Sequence, residues 1–125
     1  MDKVKVSDKL LLSVEKPARY TGGELNSIVK ETARLRFALC FPDVYEIGMS
    51  HLGSRILYEV INSREEYACE RCFAPWPDME KAMRENNVPM FTLETRTPLA
   101  ECDIVGFSLL YEMCYTNILT MLDLA

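Results

Sequence analysis

Phe37-Ala-Leu-Cys-Phe-Pro-Asp-Val-Tyr-Glu-Ile-Gly-Met-Ser-His-Leu-Gly53 decides how this chain is read. A short apolar run ends at Pro42, a polar and aromatic turn follows, and a helical pattern begins near Ser50. An uninterrupted apolar run suits a central strand covered on both faces. A strand that feeds a helix in this way is half of a βαβ unit.

A second junction has the same design: Asp103-Ile-Val-Gly-Phe-Ser-Leu-Leu-Tyr-Glu-Met-Cys-Tyr-Thr-Asn117. Two such junctions predict an α/β fold, a Rossmann or flavodoxin-like three-layer domain with a mainly parallel central sheet. In open parallel sheets, ligands bind beyond the carboxyl ends of strands where connections leave to opposite faces. The first and third main strands are expected side by side, bringing Pro42 to Gly53 and Ser108 to Glu112 to one crevice.

The intervening chain fits that plan. Leu10, Leu11, Leu12 and Val14 follow Asp8 as one or two helical turns, and Pro17 opens a loop through Glu24. Leu35 to Phe41 is the first strand. Helix one is expected to begin near Ser50, a good N-cap type, and to run to about Asn62, with apolar Leu52, Ile56, Leu57, Val60 and Ile61. Tyr67 to Phe73 is a second, more polar strand, nearer an edge. Pro77 starts helix two, whose positions Met79, Ala82, Met83 and Asn86 share a face. Asn86-Asn87 suits a left-handed stop, and Pro89 forbids continuation. Met90 to Glu94 is a candidate extra strand, and Ile104 to Leu109 the next central one. In the last helix Cys114, Ile118, Met121, Leu122 and Ala125 fall on one face. That helix has no capping signal before the chain ends, so a truncated domain is expected. Residues 1–34 are assigned to an N-terminal helix and loop extension and 35–125 to the incomplete α/β domain.

Composition sets the outer limits. The 125 residues are 49% hydrophobic and 26% charged, a globular balance. A net charge of −5 without any basic block argues against direct nucleic-acid binding. No run approaches the length of a membrane span, and the N-terminus lacks a signal-peptide stretch, so a cytoplasmic location is expected. Cys40, Cys69, Cys72, Cys102 and Cys114 sit inside apolar patterns and read as small buried hydrophobes. Cys69-Glu-Arg-Cys72 is a lone C-x-x-C inside strand-like sequence, without the second pair a zinc site wants.

The candidate binding residues come from the junctions. Gly48 permits a close turn, and Gly53 lets the helix approach the sheet. Helix-start amides near Met49, Ser50 and His51 can meet an anion or a polar ligand edge. Pro42, Asp43, Tyr45 and Glu46 precede them; Ser108, Tyr111 and Glu112 face them from the second junction, followed by Tyr115 and Asn117. Tyr and Asn combine flat apolar surface with hydrogen bonding. His51, the single histidine, reads as a locally bonded helix-start side chain more readily than as a metal ligand. Trp76, between Pro75 and Pro77, reads as a packing anchor over the second strand. No nucleophile triad, phosphate-binding loop or catalytic metal motif is present in the sequence.

Four stretches carry a resemblance: Lys16-Pro-Ala-Arg-Tyr-Thr-Gly-Gly-Glu24, Phe41-Pro-Asp-Val-Tyr-Glu-Ile-Gly-Met-Ser-His-Leu-Gly53, Phe73-Ala-Pro-Trp-Pro-Asp-Met-Glu80 and Asp103-Ile-Val-Gly-Phe-Ser-Leu-Leu-Tyr-Glu112. Together the chain resembles the N-terminal region of a radical S-adenosylmethionine (radical SAM) protein family. The resemblance implies a cobalamin-binding-like domain preceding a barrel that holds S-adenosylmethionine and an iron–sulfur cluster. The barrel's C-x-x-x-C-x-x-C motif is not in these residues, so any radical chemistry is expected downstream. The D-x-H-x-x-G cobalt-ligand motif is also absent, since His51 has Met49 two positions before it and Ser54 three after.

Three readings follow. The first is an accessory domain holding a small-molecule ligand, cobalamin by resemblance, with the downstream radical SAM domain of the same chain as partner. The second is a cofactor-free module that positions substrate or a partner. The third is a metal-binding module using the cysteines.

Overall fold

The computed structural model describes residues 3–125. Three strands, β1 (Leu35–Phe41), β2 (Tyr67–Phe73) and β3 (Ile104–Phe107), form an all-parallel sheet in the order β2-β1-β3. The register pairs Phe37 with Cys69 and Cys40 with Cys72 on one side of β1, and Phe37 with Ile104 and Cys40 with Phe107 on the other. The first and third strands are neighbours, as the sequence predicts. The helices are α1 (Asp8–Leu12), α2 (Tyr45–Met49), α3 (Leu52–Asn62), α4 (Pro77–Glu85) and α5 (Tyr115–Leu124). One-turn 3-10 helices occupy Pro17–Tyr20, Leu99–Glu101 and Glu112–Cys114.

Strand alternation divides the core in two. Ala38 and Cys40 of β1 and Cys72 of β2 point to the larger side, packing with Met79, Ala82 and Met83 of α4 and Met121 and Leu124 of α5. Val4, Val6, Leu10, Val14 and Tyr20 belong to this same cluster, so the N-terminal segment is part of the core. Leu39 and Cys69 point the other way, toward Tyr58 of α3, with Phe37, Ile28 and Ile61 around them. The α3 and α4 connections thus lie on opposite faces, and the topological switch falls between β1 and β3. Gly106 of β3 lies under the Phe37 ring, whose Cζ would stand 2.7 Å from an added Cβ.

The C-x-x-C is split by the same alternation. Cys69 faces α3, whereas Cys72 faces Cys40 and α4, so the two thiols cannot share one metal. Among the described residues no group of three or more His, Cys, Asp or Glu is placed to hold a metal ion. No helix among them is long and apolar enough to cross a membrane.

Several local expectations are corrected. Helix one begins at Leu52, near Ser50, and ends at Asn62, but Ser50 does not cap it. A separate turn, α2, comes first, and His51 caps α3 by accepting from Ser54 N–H at 3.1 Å. An imidazole nitrogen does here what a hydroxyl usually does. Met90 to Glu94 forms no strand. Phe91 makes one isolated antiparallel bridge to Pro98, and Leu93 N–H donates to Arg71 O at 2.9 Å. That tight loop, with Arg96 in the left-handed region (φ 57°), covers the open edge of β2. β3 stops at Phe107 rather than Leu109. In α5 Leu122 is exposed, and Leu124 takes the core position with Met121. Trp76 is 45% exposed and lies under Arg19, 5.2 Å from the ring centre, rather than over the second strand. Asn87 does take the left-handed stop (φ 52°).

The largest departure is α3. Its outward side carries Leu52, Ile56, Leu57 and Val60, all exposed, while Ser54, Tyr58 and Asn62 face the sheet. The inward polar groups are bonded. Asn62 Nδ2 donates to Cys69 O at 3.0 Å and Asn62 Oδ1 accepts from Cys69 N–H at 2.9 Å. Tyr58 Oη accepts from Ile28 N–H at 2.7 Å and donates to Glu94 at 3.1 Å. Buried polar groups with complete partners are tolerated in a core.

Candidate functional site

The two junctions meet, and they bond to each other. Tyr111 Oη donates to Asp43 Oδ2 at 2.9 Å, and Asn117 Nδ2 donates to Pro42 O at 2.9 Å. Ser54 and Ser108 hydroxyls lie 3.5 Å apart. These contacts link the β1 and β3 ends at the switch point. The Tyr111 phenol is held above its ordinary range by hydrogen bonding to Cys114 and Asp43. Glu112 is exposed in the first turn of its 3-10 helix.

His51 is committed locally. Its Nδ1 also lies 2.7 Å from Ser54 Oγ, and its ring rests 5.1 Å from Phe41. Gly53 lies beneath that ring, with 3.0 Å between His51 Cε1 and an added Cβ. Ser50 Oγ donates back to Glu46 O at 3.0 Å.

The open volume lies one strand over, toward β2. A cavity of about 770 Å³ sits between α3 and the segment Glu24–Ile28, above Phe41 and Phe73, the last residues of β1 and β2. Such volumes are typical of small-molecule sites. Apolar groups dominate its wall: Leu39, Phe41, Leu52, Ile56, Val60 and Phe73. Of the residues singled out from the sequence, Gly48 and Met49 line it, and Ser54 lies between them and the crevice. At Gly48 an added Cβ would collide with the Phe73 ring and stand 3.2 Å from Phe41 Cδ1, so α2 can lie on the strand ends only as glycine allows.

Two cations line it: Arg55, exposed on α3 beside Glu59, and Arg71, set into the wall. Arg71 is 11% exposed and makes four kinds of contact. Its Nε donates to Glu94 at 2.5 Å and its Nη2 to Glu24 at 2.7 Å. Its Nη1 reaches Met49 Sδ at 3.1 Å, and its guanidinium carbon lies 5.4 Å from the Tyr58 ring centre. The Glu94 side chain is wholly buried and also accepts from Arg71 N–H at 2.8 Å. Burial pushes the Glu94 carboxyl up in spite of Arg71. Burial pushes Glu24 up too, but its hydrogen bonds from Arg71 and Tyr45 outweigh that and hold it below the usual carboxylate range. Tyr45, which donates to Glu24 at 2.5 Å, is pushed up to about 12 by burial and by that carboxylate.

In sequence Glu24 is only the end of a Gly-rich loop, and no motif singles out Arg71 or Glu94. A signal was present: Glu70-Arg71 interrupts a strand that is otherwise apolar. Charges inside a covered strand must be paired, and both are. Glu70 accepts from Arg36, Thr92 and Thr95, the last two at 2.6 and 2.7 Å.

The segments 16–24, 41–53 and 73–80 contact one another here. Gly22 and Gly23 take positive φ (64° and 79°), turning Glu24 onto Arg71. Gly22 packs so closely that an added Cβ would lie 2.8 Å from Leu93 O. Arg19 donates to both oxygens of Glu46 at 2.9 and 3.0 Å, and Tyr20 Oη accepts from Trp76 N–H at 3.2 Å. A family model described as radical SAM proteins, N-terminal, matches residues 53–125. This chain belongs to that family. The match takes in α3 from Gly53 onward, all of β2 and β3, Arg71, Glu94 and the second junction, leaving the Glu24 loop and the first junction up to Leu52 outside it. No curated protein and no solved structure matches the chain.

Proposed function

We propose that this radical SAM N-terminal region is an accessory small-molecule-binding domain, with S-adenosylmethionine and the iron–sulfur cluster held by another domain of the same cytoplasmic protein. One observation carries the reading: an apolar-walled cavity at the carboxyl ends of β1 and β2, with a largely covered arginine in its wall. Parallel α/β domains place ligands at that end of the sheet.

The cobalamin form of this reading does not fit the residues present. The motif that would bring a cobalt ligand is missing, since Met49 and Ser54 stand where it needs Asp and Gly. The crevice residues Pro42, Asp43, Ser108 and Tyr111 are engaged in contacts within the protein. A corrin ring with its nucleotide tail is also a large guest for the space beside α3. The cofactor-free reading is therefore the one favoured.

Octan-1-ol, followed by titration calorimetry on the intact protein, tests the cavity. Binding to the native protein is expected, with loss in Ile56→Trp, where an indole on a half-exposed wall position fills the space. Equal binding by both would remove the site. Anaerobic cobalamin titration tests the other form: cobalamin retained by the native protein and lost on substituting Gly48 or Ser108 would restore it.

A further inference from the structure

We infer that the cavity takes an amphipathic carboxylate, which binds Arg71 by displacing Glu24. The inference rests on the cavity being a ligand site and adds the class of ligand.

The argument begins with the guanidinium. The inner donors of Arg71 are fixed: Nε serves Glu94, whose side chain is fully buried and also tied to Tyr58 and to Arg71 N–H. The outer pair is poorly served. Nη2 has one oxygen of Glu24, and Nη1 has only the thioether sulfur of Met49. A thioether is a weak acceptor for a charged N–H. A carboxylate bridging Nη1 and Nη2 would replace that mixed pair with a two-point contact, the geometry a guanidinium favours.

Glu24 is built to leave. Its side chain is 23% exposed, against 0% for Glu94. It follows Gly23, where nothing lies within 4 Å of an added Cβ, so a turn there meets no packed neighbour; the hydrogen bond from Tyr45 at 2.5 Å is the other contact it gives up. Exchange of one carboxylate for another keeps the buried charge balance, so Arg71 and Glu94 are never left uncompensated. The neighbouring Leu25 is 98% exposed at the cavity rim. When the loop moves, its side chain can close over a bound apolar body. Leu39, Phe41, Ile56, Val60 and Phe73 supply the wall for that body.

The test compares octanoate with octan-1-ol on the intact protein, native and Glu24→Gln, by titration calorimetry. The amide keeps an acceptor for Tyr45 but competes weakly for Arg71. Octanoate should bind the variant about tenfold more tightly than the native protein, with octanol unchanged. Arg71→Gln, where it folds, should lose the preference for octanoate over octanol. Equal octanoate affinity for native and Glu24→Gln protein would overturn the displacement. Octanol binding as tightly as octanoate would overturn the carboxylate while leaving the cavity as a site. Failure of both probes on every form would remove the cavity reading itself.

Discussion

Glu24 and Arg71 are 47 residues apart in the chain and meet at 2.7 Å beside the cavity. The contact fixes a loop to a strand, and it carries a pH dependence. The carboxyl of Glu24 is held below its ordinary 4.5, so its ionised form stabilises the fold. That contribution is complete above 4.5 and is lost as pH falls through the depressed folded value. Glu94, raised by burial, acts in the opposite direction, and its cost is relieved on acidification. Comparing native protein with Glu24→Gln separates the two. In urea unfolding, the native protein should be the more stable at neutral pH. The gap should persist to 4.5 and close below it. A gap that does not change with pH would mean that the ion pair contributes nothing.

Tyr58 links three elements through one hydroxyl, accepting from Ile28 and donating to Glu94. Tyr58→Phe leaves the Ile28 amide without its partner and strips a donor from a buried carboxylate. A loss of about 1–3 kcal/mol is expected from chemical denaturation. A neutral result would mean that water replaces the hydroxyl in this thin layer.

Gly48 has no room for a methyl group, because the Phe73 and Phe41 rings close over it. Gly48→Ala should cost about 1–3 kcal/mol through forced displacement of those rings. Adding Phe73→Leu should recover part of the loss, which a double-mutant cycle would measure. Strict additivity would place the clash elsewhere.

The outward face of α3 presents Leu52, Ile56, Leu57 and Val60 to solvent, and Met113, 82% exposed, adds to the apolar surface. Contiguous apolar patches promote association. The 125-residue chain alone should self-associate in sedimentation velocity. Val60→Lys should reduce this while changing stability by no more than about 0.5 kcal/mol, since no core contact is lost. A large loss of stability would show that α3 packs by its apolar side.

The thiols should be inert in the folded state. Burial pushes Cys69 and Cys102 up to about 12, and Cys72 is raised well above its ordinary value by its hydrogen bond with Cys40 and by burial. The thiolate is the reactive form. Iodoacetamide at pH 8 should label the native protein slowly and all five cysteines once it is unfolded. Rapid native labelling at Cys72 would contradict the packing of β1 against β2.

Much of the fold was legible because its signals are local. The apolar run Leu35–Phe41, the stops at Pro42 and Pro89 and the left-handed Asn87 each depend on a few adjacent residues, and each stands where the sequence places it. Parallel order with β1 beside β3 followed from the alternation of strands and helices. The sequence also brought Pro42–Gly53 and Ser108–Glu112 together, and Tyr111–Asp43 joins them. What it could not contain was the use made of that meeting. Whether a hydroxyl and a carboxylate face a ligand or each other depends on distances across 68 residues.

The amino-acid order alone therefore determined β1 and β2, the start of β3, their parallel arrangement and the Gly-rich joint before Glu24. Tertiary structure alone decided which side of α3 faces the sheet and where the open volume lies. Helical periodicity separates Leu52, Ile56, Leu57 and Val60 from Ser54, Tyr58 and Asn62, but it does not say which set turns inward. That choice rests on partners remote in the chain. Cys69 bonds Asn62, Glu94 and Ile28 bond Tyr58, and Arg71 lies against the Tyr58 ring, so the polar side is the one the sheet can satisfy.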